Sequence, residues 1–328
     1  MTSLDEQVDS LFDRPDADGI TLALLVVQHG EVVTERYGVQ PANVFQPELV
    51  ITADSTLTSW SMAKSMTHFA VGVLVRDGAL DVDAPAAVPE WAGTPKAEIT
   101  LLQLLEMRSG LRFVEDYVDE GVSHCLEMLF GDSGPSHAAY AAALPLDHPP
   151  GSVYNYSSGT TNIISRIIGD VVTGSSGGDP ATRRGAVDAF LRDRLFGPAG
   201  MSSATPKFDD AGDFVGSSYV YATARDFARF GELALHDGVT ADGVRLVPEG
   251  WSQHARGFSA RDPENGCDYG RHWWMWPQID GSLACHGHEG QYIVIVPSRD
   301  LVIVHLGKTP SEASPALRAR LRSMVACR

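Results

Sequence analysis

Apolar residues recur along this chain at helical spacing in some stretches and at strand spacing in others, and the change of rhythm predicts its elements. Leu4, Val8, Leu11 and Phe12 fall on one side of a helix. From Ile20 to Tyr37 two β-rich runs flank His29-Gly30, which predicts a hairpin. Thr58 to Asp77 is predicted helical, starting in a Ser/Thr-rich stretch and stopping at Asp77-Gly78. After a spacer from Leu80 to Pro85, Ile99 to Met107 forms a second such helix, closed by Ser109-Gly110. Further helices are expected near His137 to Leu144, Thr160 to Val172 and Ala186 to Leu195, with a break at Pro150-Gly151 and a Gly/Ser loop from Thr173 to Asp179. Thr223 to Leu235 is cleanly amphipathic. Strand patterns return over Arg271 to Pro277 and Ser282 to Leu306, Pro297 to Asp300 turn a hairpin, and Pro315 to Val325 is a last helix.

Strands at both ends enclosing a helical middle imply one sheet assembled from both termini. The expected fold is therefore α/β (α+β). A mixed antiparallel sheet from residues 1–85 and 200–328 is flanked by terminal helices, and residues 86–199 form a helical insertion.

Composition narrows the function. The chain has 328 residues, 44% of them hydrophobic and 20% charged, enough to bury a large core. Lys+Arg 25 against Asp+Glu 42 gives a net charge of −17, which repels phosphate backbones and anionic membranes. The N-terminal residues carry early acidic side chains and no apolar secretory core, and the apolar runs, such as Thr21 to Gln28, are far too short to span a bilayer. Cys125, Cys267, Cys285 and Cys327 are scattered without Cys-x-x-Cys spacing, so neither a zinc knuckle nor a disulfide frame is indicated. A soluble, reduced, cytoplasmic protein is the expectation.

The chemistry-bearing string is Ser61-Met62-Ala63-Lys64, at the front of an apolar helix. Residues three apart on a helix lie about 60° apart around the axis and about 4.5 Å along it, so hydroxyl and amine share a face. Developing negative charge is favoured at a helix N-terminus, and a partly desolvated lysine can serve as base. Alone, the string recurs by chance and Ser61 would be an N-cap. Tyr154-Asn155-Tyr156-Ser157-Ser158 follows the Pro-Gly break and precedes the next apolar helix. A tyrosine there is either a packing residue or, beside a Ser/Lys pair and with its pKa lowered by the cation, a proton relay.

Ser61-x-x-Lys64, then Tyr156-Ser157-Ser158, then Gly287 ahead of Gly290-Gln291-Tyr-Ile-Val-Ile-Val-Pro resemble the serine β-lactamase and penicillin-binding-protein superfamily. Within it the chain is similar to class C-like relatives: family VIII-type esterases and 6-aminohexanoate-dimer (nylon oligomer) hydrolases. Ile99 to Leu111, Glu115-Asp116-Tyr117, Ala222 to Gly231 and Tyr269 to Trp274 extend the likeness over nearly the whole chain. The resemblance implies a serine hydrolase that cleaves esters or linear amides through an acyl-enzyme on Ser61. Lys64 and Tyr156 share the proton work, and the Ser61 and His288 backbone N–H groups form an oxyanion hole. It implies no metal or organic cofactor, and a small-molecule ester or amide as the only partner; the oligomeric state is not specified. A β-lactamase or DD-peptidase, and a non-catalytic ligand-binding member of the fold, are the alternatives.

Two departures from the family pattern bear on substrate. Ser158 stands where an asparagine is common, and the Lys-Thr-Gly triplet of lactamases is replaced by Cys285-His286-Gly287. Lys308-Thr309 ends the following strand and is followed by Pro310, so it is no substitute. Loss of that lysine favours esterase or amidase over lactamase. Tyr117, Ser158, Trp274, Cys285, His286 and Gly287 are the candidate substrate contacts. Glu115-Asp116-Tyr117 reads either as a loop closing over substrate or as a solvated acidic loop, and Trp273, Trp274 and Trp276 as acyl pocket or core. His286 and His288 share a strand face but lack a third ligand motif for zinc, and Cys285 reads as a buried thiol.

Overall fold

The run Ile20–Gln28 buries seven consecutive residues, on both of its faces, so the sheet it belongs to must be covered on both sides. In the computed structural model, which describes residues 3–44, 47–116, 121–263 and 265–327, it is the second strand of an eight-stranded antiparallel sheet. The order is Glu31–Tyr37, Ile20–Gln28, Leu301–Lys308, Gln291–Val296, Leu283–Gly287, Trp274–Met275, Cys267–Tyr269 and Ala260–Asp262. The N-terminal hairpin thus pairs with the last strand, Leu24 opposite His305 and Val26 opposite Ile303. One sheet built from both ends of the chain is the outcome.

Side-chain alternation splits the core in two. Leu24, Val26, Val294 and Ile303 face the terminal helices Leu4–Phe12 and Ser314–Ala326, meeting Val8, Leu11, Leu317 and Leu321. Leu25, Val27, Ile293 and Val304 face the other way, against Met66 and Phe69 of helix Ala63–Arg76 and Phe227 and Phe230 of helix Ala224–Leu235. Beyond helix Ala63–Arg76 lie the helices Leu101–Leu105, His124–Phe130, His137–Ala143, Ser158–Thr173 and Pro180–Leu191.

Three elements are shorter than their hydrophobic patterns suggest, and all three are cut by a non-glycine residue with positive φ. Helix Ala63–Arg76 does not reach back to Thr58, because Trp60 (φ 44°) forces a tight turn over Trp60–Met62 and Leu57–Thr58 pairs as a strand with Val220–Ala222. Met107 (φ 56°) follows a helix that spans only Leu101–Leu105, and His272 (φ 63°) confines the expected Arg271–Pro277 strand to Trp274–Met275. Side-chain polarity carries no signal for such conformations. Helix His124–Phe130 and the strands Ala260–Asp262 and Cys267–Tyr269 were not anticipated; each is short and weakly patterned.

A buried ion cluster ties the parts that carry the site. Arg183 donates to Asp213 and Asp170, each at 2.7 Å, and to the Arg166 carbonyl at 2.9 Å. Helix Ser158–Thr173 is thereby joined to the loop that runs from Asp213 to Ser218. Removing one partner strands charge in the interior. Arg183→Met is expected to lose about 3–5 kcal/mol of stability, read from the urea midpoint; a loss below about 1 kcal/mol would mean that the cluster anchors nothing.

Candidate active site

Ser61 sits in the tight turn, not on the helix itself. The turn is pinned from two sides. The Ser59 N–H donates to the Val220 carbonyl at 2.8 Å, and the Val220 N–H donates to Ser59 Oγ at 3.0 Å. On the other side strand Leu283–Gly287 presses so closely that a Cβ on Gly287 would stand 2.4 Å from the Ser59 carbonyl oxygen. Only glycine permits that approach.

One turn further on, Lys64 is 1% exposed. Its Nζ lies 3.0 Å from Ser61 Oγ, 2.9 Å from Ser158 Oγ and 2.9 Å from the Ser217 carbonyl oxygen. Burial pushes the ammonium below its usual range, and the Glu115 charge partly opposes this. A lysine so held can exist as a neutral amine and accept a proton from Ser61. Ser158 is the first residue of helix Ser158–Thr173, whose N-cap Ser157 accepts from the Thr160 N–H at 2.9 Å. Its hydroxyl donates to Glu115 Oε1 at 2.6 Å, and its N–H donates to Glu115 Oε2 at 2.7 Å.

Tyr156 stands over the same amine, with Lys64 Nζ 4.8 Å from the centre of its ring. Burial and the Glu115 charge raise its phenol well above the usual value, while a hydrogen bond with Ser61 opposes them. The expectation of a phenol lowered by the cation is therefore corrected. The ammonium faces the ring rather than the hydroxyl, and desolvation dominates. Tyr156 is a neutral hydroxyl beside Ser61, able to pass a proton on but not poised as a phenolate.

The remaining sequence candidates divide. Ser61, Tyr156, Trp274, His286, Gly287 and His288 line one cleft of about 380 Å³. Trp274 stacks on His286 at 4.9 Å, and the His288 ring meets Trp60 edge-on at 5.6 Å. His286 Nε2 accepts from the Trp276 indole at 2.8 Å, so that nitrogen is engaged as an acceptor, and burial keeps the imidazole neutral. Among the described residues no cluster of three or more His, Cys, Asp or Glu could hold a metal. Cys285 points to the other face, is fully buried, and its thiol is pushed up to about 12 by desolvation. It is not part of the cleft wall. Trp273 and Trp276 are core residues. Tyr117 lies outside the described residues.

Three contributors carried no sequence signal. Ser217 acts through its carbonyl, which any residue possesses. Arg318, 5% exposed, brings a guanidinium from the last helix into the cleft wall and donates to the Tyr292 hydroxyl at 3.4 Å. Asp262 lines the cleft from the far edge of the sheet and accepts from the Asn265 N–H at 2.9 Å. With Glu115, Asp116 and Glu289, it makes the cleft rim predominantly acidic.

The buried amine leaves a signature in stability. Between its lowered folded value and the ordinary 10.5, the unfolded chain holds a proton on Lys64 that the folded chain lacks, so stability rises with pH across that window. The stability of wild type minus that of Lys64→Met should therefore increase on approaching 10.5 from below, by up to about 1.4 kcal/mol per pH unit. Urea unfolding at stepped pH reads this directly, and a flat difference would mean that the amine titrates normally.

The chain matches the sequence profile of the Beta-lactamase family over residues 8–326. It is 29% identical over 311 residues to the 6-aminohexanoate-dimer hydrolase of Paenarthrobacter ureafaciens, a match covering 88% of this chain and 73% of that one. Penicillin-binding protein 4 of Amycolatopsis lactamdurans is 28% identical over 305 residues, with 77% and 72% covered. The fold superposes on a class C β-lactamase from Rhodobacter sphaeroides with a TM-score of 0.68 at 18% identity, covering 98% of this chain and 99% of that structure. With a profile match over nearly its whole length and the antiparallel sheet and helices of the β-lactamase/transpeptidase fold, the chain belongs to the Beta-lactamase family of hydrolases.

Proposed function

We propose that this protein is a serine hydrolase of small linear esters or amides, working through an acyl-enzyme on Ser61. The observation that carries the reading is the single hydrogen-bonded unit of Ser61, Lys64 and Tyr156 at the wall of an open cleft. Lys64 takes the Ser61 proton as Oγ attacks the carbonyl carbon. The backbone N–H groups of Ser61 and His288 receive the oxyanion. The Tyr156 hydroxyl relays a proton to the leaving group, and water then releases the acyl group by the same route. No step calls for a cofactor.

The rim of Glu115, Asp116, Asp262 and Glu289, on a chain of net charge −17, disfavours anionic substrates and suits neutral or amine-bearing ones. A β-lactamase or penicillin-binding reading is favoured by one observation, the Arg318 guanidinium in the cleft wall, which could receive a substrate carboxylate.

Ser61→Ala is expected to lose well over about 10²-fold in turnover with its fold intact, and residual activity above a hundredth of wild type would remove Ser61 from the nucleophile's role. Short-chain p-nitrophenyl esters should exceed nitrocefin and benzylpenicillin in kcat/KM by at least about tenfold, or about 1.4 kcal/mol in the barrier. Parallel kinetics on one preparation decides this. Equal or faster β-lactam turnover would instead support Arg318 as a carboxylate receptor.

A further inference from the structure

Hydrogen-bond polarity around Lys64 is determined by a residue that does not touch it. A neutral amine has two N–H donors and one lone pair. The Ser217 carbonyl, 2.9 Å away, can only accept, so it consumes one donor. Ser158 Oγ, also 2.9 Å away, could in principle accept from Nζ or donate to it. Glu115 removes that freedom. Its two carboxylate oxygens accept both the N–H and the O–H of Ser158, at 2.7 and 2.6 Å, so the Ser158 proton is committed away from the lysine and its oxygen must accept. Both N–H groups of neutral Lys64 are then spent on Ser158 and Ser217. Its lone pair is left for Ser61 Oγ at 3.0 Å.

We propose that Glu115 is a positioning residue for the reaction: by holding the Ser158 hydroxyl as a donor to itself, it aims the Lys64 lone pair at the Ser61 proton. This rests on the reading of Ser61 as nucleophile and Lys64 as its base. In the step concerned, the Ser61 O–H bond breaks and its proton forms an N–H bond on Nζ. Oγ bonds to the carbonyl carbon, and the carbonyl π pair moves onto oxygen. Glu115 keeps its charge throughout and exchanges no proton.

Glutamine at this position reverses the polarity. The Ser158 N–H can only donate, so it claims the amide oxygen of the new side chain, and the amide NH2 then faces Ser158 Oγ. The Ser158 hydroxyl is forced to accept from that NH2, and its proton turns toward Lys64, where it competes with Ser61 for the lone pair. The substitution also removes a negative charge that favours the protonated form of Lys64.

The test needs no physiological substrate. The rate of Ser61 phosphonylation by a fluorophosphonate probe is followed from about pH 5 to 10 in wild type, Glu115→Gln, Ser158→Ala and the double variant, with Ser61→Ala as control and thermal unfolding as the check on folding. Glu115→Gln should lower the plateau rate at least about tenfold and move its acid limb to lower pH. Ser158→Ala, which removes the link but keeps the charge, should lower the plateau with a smaller shift of the limb. The double variant should be little slower than Glu115→Gln alone. A Glu115→Gln profile superimposable on wild type, or additive losses in the double variant, overturns the proposal. Should Glu115→Gln fail to fold, the Ser158→Ala profile decides: an unchanged plateau overturns it. Wild type that is not labelled at Ser61 refutes the nucleophile assignment itself, and the positioning role falls with it.

Discussion

A lysine enclosed at 1% exposure, with no carboxylate in direct contact among the described residues, is the constraint on which the rest of the site depends. Burying an unpaired charge costs several kcal/mol, so Lys64 can be kept only where polar partners are fixed in place around it. Those partners come from three separate parts of the chain: the turn at Ser61, the start of helix Ser158–Thr173, and the loop at Ser217. The fold is largely the apparatus that brings these three together. The same desolvation that makes Lys64 costly also lowers its proton affinity, which is what the proposed role of base requires.

Support for the site is correspondingly stiff. The Arg183 cluster joins the helix bearing Ser158 to the loop bearing Ser217, and the Ser59–Val220 bonds with the Gly287 contact hold the Ser61 turn between two strands. Trp60, Met107, His272 and Glu289 all adopt positive φ near this region, a conformation unfavourable for side chains larger than glycine. Trp60 immediately precedes Ser61, and Glu289 follows His288. Backbone strain is thus concentrated where strand and turn meet, and the surrounding packing retains it.

The cleft carries a mixed electrostatic message. Cys285 faces the core and brings nothing to the wall, whereas Arg318 supplies a guanidinium from the last helix. Among the described residues, Glu115, Asp116 and Asp262 outweigh it on the rim, while Glu289 is ion-paired to Lys308. Charge balance across the cleft, rather than the presence or absence of one lysine, is what separates the hydrolase readings.

Much of this was legible in the residues themselves. Ser61, Lys64 and Tyr156 stood out because their side chains fall in the motif order of the superfamily the chain resembles, and the sheet from both termini followed from strand rhythms in Ile20 to Tyr37 and Ser282 to Leu306. Strand alternation put Cys285 and His286 on opposite faces, but the reading that set Cys285 in the cleft lysine's place is corrected: His286 lines the cleft and Cys285 faces the core. What stayed hidden depends on backbone geometry or on distant encounters. Polarity patterns do not encode the positive φ of Trp60, and a carbonyl such as that of Ser217 has no sequence signature. Glu115 could be seen as part of an acidic loop, but its two hydrogen bonds to Ser158 arise only when that loop is folded against a helix 43 positions away. Tyr156 illustrates the same division. Its identity and its nearness to Lys64 were inferred from sequence, whereas only tertiary packing decided that the amine meets the ring face and that desolvation raises the phenol instead of lowering it.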